Sequence, residues 1–338
     1  MSRTTPSRPI DIERVFPDLA VYRRTATRLH PRPGAPEAGD SSVGGLLLWP
    51  ADELWPVCRE RHRRGYGERT ADVRLRRRIL AEAWSRVPAP GQRPGPTDEE
   101  GDLLRSLKRG RHAPSLGDTD PTPLLAVAQL FRRDVLDLGG PTDHDLLQIL
   151  WCPFDGHHGR HEPAVTLVWR RSSEAGGVLA VQPEPEVVGS EGYVPASCTL
   201  DPEQVVEHPD IEVLPDGLRE RIDAWEGDEE DLDEDSVLYR SDLSVAPGWK
   251  AGGFASWHGT GRADVLCSCG ARTDLLVTVA SKEWDGGSRS WIPSEDRAAS
   301  QDMDANTPTQ VTVGRWGSMN VFLCQADFTH PPQLSLQG

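Results

Sequence analysis

At 338 residues the chain is long enough for two domains, or for one duplicated unit with a substantial core. Its net charge of −16 argues against general nucleic-acid binding, which needs a clustered positive face to displace counterions. Hydrophobic residues are only 37% of the chain, and 32 Gly with 29 Pro demand many loops, so the eleven Trp are expected to carry much of the core. The charge is uneven: residues 1–112 hold 22 basic and 15 acidic side chains, net +7, whereas the rest hold 15 and 38, net −23. The first residues lack the apolar run of a signal peptide, and the longest apolar stretch, near 124–131, is too short to span a bilayer. The expectation is a soluble cytoplasmic protein with no membrane partner, whose six cysteines are thiols or metal ligands rather than disulfides.

In chain order, Ile12, Val15, Phe16, Leu19 and Tyr22 recur at helical spacing, so residues 11–29 read as helical, interrupted at Pro17. Residues 31–42 form a Pro- and Gly-rich loop, and Gly44-Gly45-Leu46-Leu47-Leu48-Trp49-Pro50 reads as a short buried strand. Residues 68–87 predict a helix with Val73, Ile79, Leu80, Ala83 and Trp84 inward and Arg74, Arg77 and Arg78 in solvent. A second helix is expected over 98–108, capped by Asp98. Strands follow at 124–131, 146–151 and 164–170, the last alternating Val165, Leu167 and Trp169 with Thr166, Val168 and Arg170. Further strands are expected at 178–182 and 193–200, and a helix at 216–225. It runs into residues 226–235, eight of them acidic. That run has neither the spacing nor the sixth-position Gly of a calcium loop and reads as a solvated linker.

Four short patterns recur in the same order. Gly44-Gly45-x3-Trp49 matches Gly252-Gly253-x3-Trp257, with Cys58 and Cys267 nine and ten residues past the respective Trp. Thr122-Pro123-Leu124-Leu125 matches Thr273-Asp274-Leu275-Leu276, and Cys152-x5-His158 matches Cys324-x5-His330. The order suggests an internal repeat. Two such β-rich units would pair about a pseudo-dyad and leave a groove between them as the default ligand site. The expected organisation is a helical arm over 1–43, a first unit over 44–170, a connecting segment with the acidic linker over 171–247, and a second unit over 248–338, together one compact duplicated domain.

Signatures of phosphate loops, dinucleotide folds, zinc proteases and serine hydrolases are all absent, which points away from an enzyme. The candidate chemistry is zinc. Cys267, Cys269, Cys324 and His330 could supply three thiolates and an imidazole, a closed structural set, with Gly270 turning the backbone after the second thiol. One residue between the first two thiols, on a strand, would strain that chelation. The first-half counterpart is Cys58, His62, Cys152 and one of His157, His158 or His161. Cys198 has no evident partner. Cys152 beside a histidine could act as a nucleophile, but no third orienting residue can be named. Trp249, Trp257, Trp284, Trp291 and Trp316 read as core, or as a stacking pocket.

With residues 40–50, 147–155, 243–253 and 316–324 as the matching stretches, the chain resembles the YwqG-like family, bacterial proteins built on a domain of unknown function. The likeness runs from about residue 12 to 330. It implies an α+β fold in which an internally duplicated β-rich unit forms a large mixed sheet with peripheral helices, and it implies no catalytic residues. Relatives carry Cys-x-x-Cys where this chain has Cys267-x-Cys269. Their occurrence beside toxin and immunity genes implies a protein partner. The function expected is therefore a non-enzymatic interaction factor, with an immunity or adaptor role. The alternatives are a small-ligand or zinc-binding protein, and a hydrolase or transferase using Cys152 or the histidines 157–161.

Overall fold

The computed structural model describes residues 2–338 except 88–93, 110–115, 158–161, 229, 231, 234–235, 260, 263 and 303. The N-terminal helical signal ends early. Helix α1 spans only Ile12–Val15, and a 3-10 turn occupies Pro17–Tyr22, because Pro17 cannot donate the next helical hydrogen bond. The remainder of the expected helix is strand β1 (Arg24–Arg28), where Thr25 and Thr27 suit an extended backbone and both strand edges are paired.

Short strands β2 (Arg32–Pro33), β3 (Ser42–Val43), β4 (Val57–Cys58) and β5 (Glu68–Arg69) lead into helices α2 (Thr70–Ser85) and α3 (Asp98–Arg109). Strands β6 (Thr122–Pro123), β7 (Leu125–Phe131), β8 (Leu146–Cys152) and β9 (Ala164–Arg170) follow, then β10 (Val187–Val188), β11 (Cys198–Thr199) and β12 (Glu203–Glu207). Helix α4 (Asp216–Glu226) precedes β13 (Lys250–Gly252), β14 (Thr273–Ala280), β15 (Ser318–Cys324) and β16 (Gln333–Gln337). No helix among the described residues is long and apolar enough to cross a membrane.

The fold is α+β, but the expected single large mixed sheet is replaced by two six-stranded sheets. Their orders are β12-β1-β13-β14-β15-β16 and β2-β11-β3-β7-β8-β9, and every pairing in them is antiparallel. Prolines divide the strands between sheets. After β1 the chain turns at His30-Pro31, with His30 at φ +44, and β2 joins the edge of the other sheet. After β11 it turns at Asp201-Pro202 and β12 crosses back. Proline has no N–H to extend a ladder, so each crossing strand must end there. The two turns touch, with Asp201 N donating to Leu29 O at 3.0 Å.

The sheets share one apolar core, to which Val127, Leu147, Ile149 and Trp151 contribute from one side and Val277, Val279, Met319 and Val321 from the other. This core fills the space where a groove between units was expected. Trp151 and Trp249 lie within it, their indole N–H groups donating at 2.9 Å to Tyr193 O and Ala280 O. Burying a large ring with its polar atom satisfied is how a chain poor in aliphatics gains contact area.

The two central ladders have the same register. A bulge falls between Ala126 and Ala128 in β7, and between Leu275 and Val277 in β14. Beyond it, Gln129 faces Gln148 and Thr278 faces Asn320, each pair joined by a side-chain hydrogen bond of 3.0 and 2.9 Å. Gly44 and Gly252 leave β3 and β13 at φ +64 and +69, and a Cβ there would lie 2.5 Å from Ala196 O or 2.8 Å from Asp137 O. The expected strand over 44–50 is instead an irregular segment laid across the outer face of its sheet, because Gly44 turns the chain out of the ladder.

Helix α2 lies where expected, but its basic face is not simply solvated. Arg76 is buried against Glu68 and Glu191, and Arg77 donates to Glu191 O and Gln310 O, leaving Leu80 and Trp84 exposed. Helix α3 is capped by Thr97, not Asp98. Thr97 Oγ1 accepts from Glu100 N, and Glu100 accepts from Thr97 N at 2.8 Å, a reciprocal capping box. Of the strand expected over 178–182 only a bridge at Val178 forms, and of 193–200 only β11.

Candidate metal centres

Strands β8 and β15 end in Cys152 and Cys324, each four residues past the paired Gln148 and Asn320. Each thiol joins a cluster on the outer side of its sheet. One consists of Cys58, His62, Cys152 and His157, the other of Cys267, Cys269, Cys324 and His330. Within each, the four candidate ligand atoms lie within 4.8 Å of one another.

The first cluster is assembled from three segments. Cys58 closes β4, which pairs with β6; His62 is placed by its N–H donating to Asp118 O at 2.9 Å and by its ring stacking on Phe154 at 4.5 Å. Arg64, buried next to it, pins the loop through Gly117 O at 2.6 Å and Thr122 Oγ1 at 2.5 Å. Cys58 Sγ lies 3.3 Å from His62 Nε2 and 3.6 Å from His157 Nε2, and Cys152 Sγ lies 3.3 Å from His62 Nε2. The histidine is thus His157, one residue before the His158 of the Cys-x5-His match; His158 and His161 lie outside the described residues. Cys152, His62 and His157 are buried.

In the second cluster Cys267 and Cys269 sit on a tight turn, not a strand. Cys267 N donates to Ala271 O at 3.0 Å, Gly270 N donates to Cys267 O at 2.8 Å, and Gly270 stands at φ +82. The turn brings both thiols to one cluster, Cys267 buried and Cys269 at the surface, without the extended backbone expected of the Cys-x-Cys pair. Cys269 Sγ lies 3.7 Å from Cys324 Sγ, and Cys267 Sγ 3.4 Å from His330 Nδ1. His330 Nε2 faces Asp327 Oδ2 at 3.6 Å, and Asp327 is itself held by Thr329 N at 2.8 Å. A carboxylate behind an imidazole orients it toward a ligand on its other nitrogen. Sequence reasoning missed Asp327, although Asp-x-x-His is visible in the chain. Cys269 is exposed, so this cluster borders solvent.

Neither a family model nor a curated protein matches this chain.

A zinc ion holding sulfur at about 2.3 Å and nitrogen at about 2.0 Å, tetrahedrally, sets sulfur pairs about 3.8 Å apart and sulfur–nitrogen pairs about 3.6 Å apart. The sulfur–sulfur separation of 3.7 Å and the four sulfur–nitrogen separations of 3.3–3.6 Å lie at or slightly inside those values and are compatible with zinc. Both sets, Cys2His2 and Cys3His, are of the structural zinc type.

The thiols influence each other strongly. Hydrogen bonding from Cys152, opposed by burial and aided by His157 and His62, pulls the Cys58 thiol down to about 2, while Cys58 and burial push Cys152 far up. Burial alone would lower the His157 imidazole, but Cys58 leaves it above its ordinary value. Backbone and thiol hydrogen bonds hold Cys267 at about 6. Cys198 stands apart from both clusters, buried and donating to Pro308 O at 3.3 Å, its thiol pushed up to about 12 by burial. Fully buried at a strand end and surrounded by the other three donors, Cys152 is poorly placed as a nucleophile.

Proposed function

We propose that the protein is a non-enzymatic interaction factor whose scaffold is clamped by two structural zinc ions, one in each Cys/His cluster. The observation that carries this reading is the convergence of two four-donor Cys/His sets, each with its ligand atoms within 4.8 Å of one another. Four protein donors leave no open position for a water or substrate, which separates a structural site from a catalytic one. The net charge of −23 over residues 113–338 favours a basic protein as the partner. The YwqG-like kinship and the internal duplication belong to the same proposal, supported by the matched bulges, glycines and cysteine positions of the two sheets.

Elemental analysis of protein purified without chelator tests the metal reading. Two equivalents of zinc per chain are expected, falling to one in Cys152→Ala and to one in Cys324→Ala. Less than a tenth of an equivalent in the wild type would end it. The partner reading stands or falls on affinity capture from the native host with zinc present, where a stoichiometric basic protein is expected.

A further inference from the structure

The outer faces of the two sheets are finished differently. Above β7 and β8 the segment Leu47-Leu48-Trp49 is laid flat on the sheet. Leu48 N donates to Gln129 Oε1 at 2.7 Å, Gln148 Nε2 donates to Leu48 O at 3.0 Å, and Trp49 is buried with the Arg170 guanidinium 4.3 Å from its ring centre. Above β14, Trp257, at the same offset from its Gly-Gly pair, turns aside to stack on Phe322. A cavity of about 250 Å³ remains over Lys250, Thr278 and Ser318.

Two tryptophans wall this cavity, Trp284 and Trp316. Trp316 is 60% exposed and held at φ +66, a conformation that disfavours a bulky side chain. Its backbone has little freedom, since a Cβ on the adjacent Gly317 would lie 1.7 Å from Gln337 O in β16. A large ring kept at a strained, exposed position beside a cavity is the pattern of a ligand contact, not of packing.

The charges narrow the ligand. Lys250 is matched by Glu207 at 2.6 Å and Arg240 by Glu212 at 2.6 Å. Lys282 has no carboxylate partner among the described residues, and its Nζ lies 5.7 Å from the Trp316 ring centre. Asp285, also lining the cavity, has Oδ1 capped by Gly287 N, Ser288 N and Ser288 Oγ. One unmatched cation beside an aromatic face accepts one negative charge, and Asp285 opposes a second. The volume lies below the roughly 300–1,000 Å³ of drug-sized sites, which excludes dinucleotides and long peptides.

We propose that this cavity binds a small monoanion with a planar ring, of the aromatic carboxylate class, its ring against Trp316 and Trp284 and its carboxylate on Lys282. The proposal is independent of the metal reading. Isothermal titration calorimetry on the full chain as purified tests it, with indole-3-carboxylate as probe and indole-3-carboxamide, phenyl phosphate and acetate as controls. Indole-3-carboxylate should bind saturably at one per chain, with the carboxamide and phenyl phosphate at least tenfold weaker and acetate undetectable. Lys282→Gln should weaken binding at least tenfold. Trp316→Gly should abolish binding while melting no lower than the wild type, because glycine accepts the positive φ. Equal affinity for carboxylate and carboxamide, unchanged binding by Lys282→Gln, or no saturable binding of the carboxylate would each overturn the proposal.

Discussion

Cys152 and Cys324 end equivalent strands, yet their surroundings differ in solvent access. The first centre has three of its four donors buried, beneath Phe154 and the loop fixed by Arg64. The second is built on a surface turn, with Cys269 exposed and Asp327 behind His330. One framework therefore carries a cluster integral to a packed core and another that ties down a peripheral turn. The same contrast marks the outer faces, plugged by Trp49 over β7 and left open over β14.

Substitution at the two centres should break this comparison most widely. Cys152→Ala removes a fully buried donor and should cost about 4 kcal/mol or more in chemical unfolding, in the range reserved for lost metal sites and core cavities. Cys269→Ser should release one zinc equivalent while leaving cooperative unfolding of the core intact, as read by near-ultraviolet dichroism. Equal losses from the two variants would show that the centres are energetically alike.

The next effect concerns the register position that carries Ser42 in one sheet and Lys250 in the other, opposite Gln129 and Thr278. Lys250 is buried, and Glu207, also buried, accepts from it and from Ala246 N and Phe254 N. Lys250→Met would strand that carboxylate and should cost about 3–5 kcal/mol. The double change Lys250→Met with Glu207→Gln should recover much of the loss, which a denaturation midpoint series would reveal.

The smallest effect separates the two crossing turns, His30-Pro31 and Asp201-Pro202. Burial holds His30 down at about 4, below its ordinary 6.5, despite its hydrogen bond to Glu203. The unfolded chain therefore binds a proton between those values that the folded chain does not. Stability present above pH 6.5 is lost as the pH falls toward 4, by about 3 kcal/mol at most. His30→Gln should flatten that slope in urea midpoints measured across the window; an unchanged slope would assign it to other groups.

Much of the sheet was legible because burial writes itself into sequence. Val165, Leu167 and Trp169 alternate, and residues 146–151 are apolar apart from Gln148 because β8 is covered on both faces. Strand β1 was not legible: Arg24-Thr25-Ala26-Thr27-Arg28 has no apolar rhythm, and the helical rhythm before it simply ran on. Its burial comes from partners some 180 and 225 residues away, β12 and β13. The second centre could be assembled residue by residue from Cys-x-Cys and Cys-x5-His. In the first, nothing in the chain distinguished His157 from its neighbours, because turn geometry decides which ring faces Cys58. The cavity could not be foreseen at all, since it depends on Trp257 packing on Phe322 of β15 while the sheet over Lys250, Thr278 and Ser318 stays uncovered.

The exchanged crossings at Pro31 and Pro202 also set a timetable for synthesis. Strand β1 is made well before both of its neighbours, β12 and β13, which lie some 180 and 225 residues later. Strand β2 likewise waits for β11. The nascent chain carries these edges unpaired until the later strands are made. Closing loops of that length is slow, and it exposes strand edges meanwhile to pairing with other chains. The interlocking that binds the two sheets when finished thus makes their pairing long-range, and completing it requires segments from both ends of the described fold.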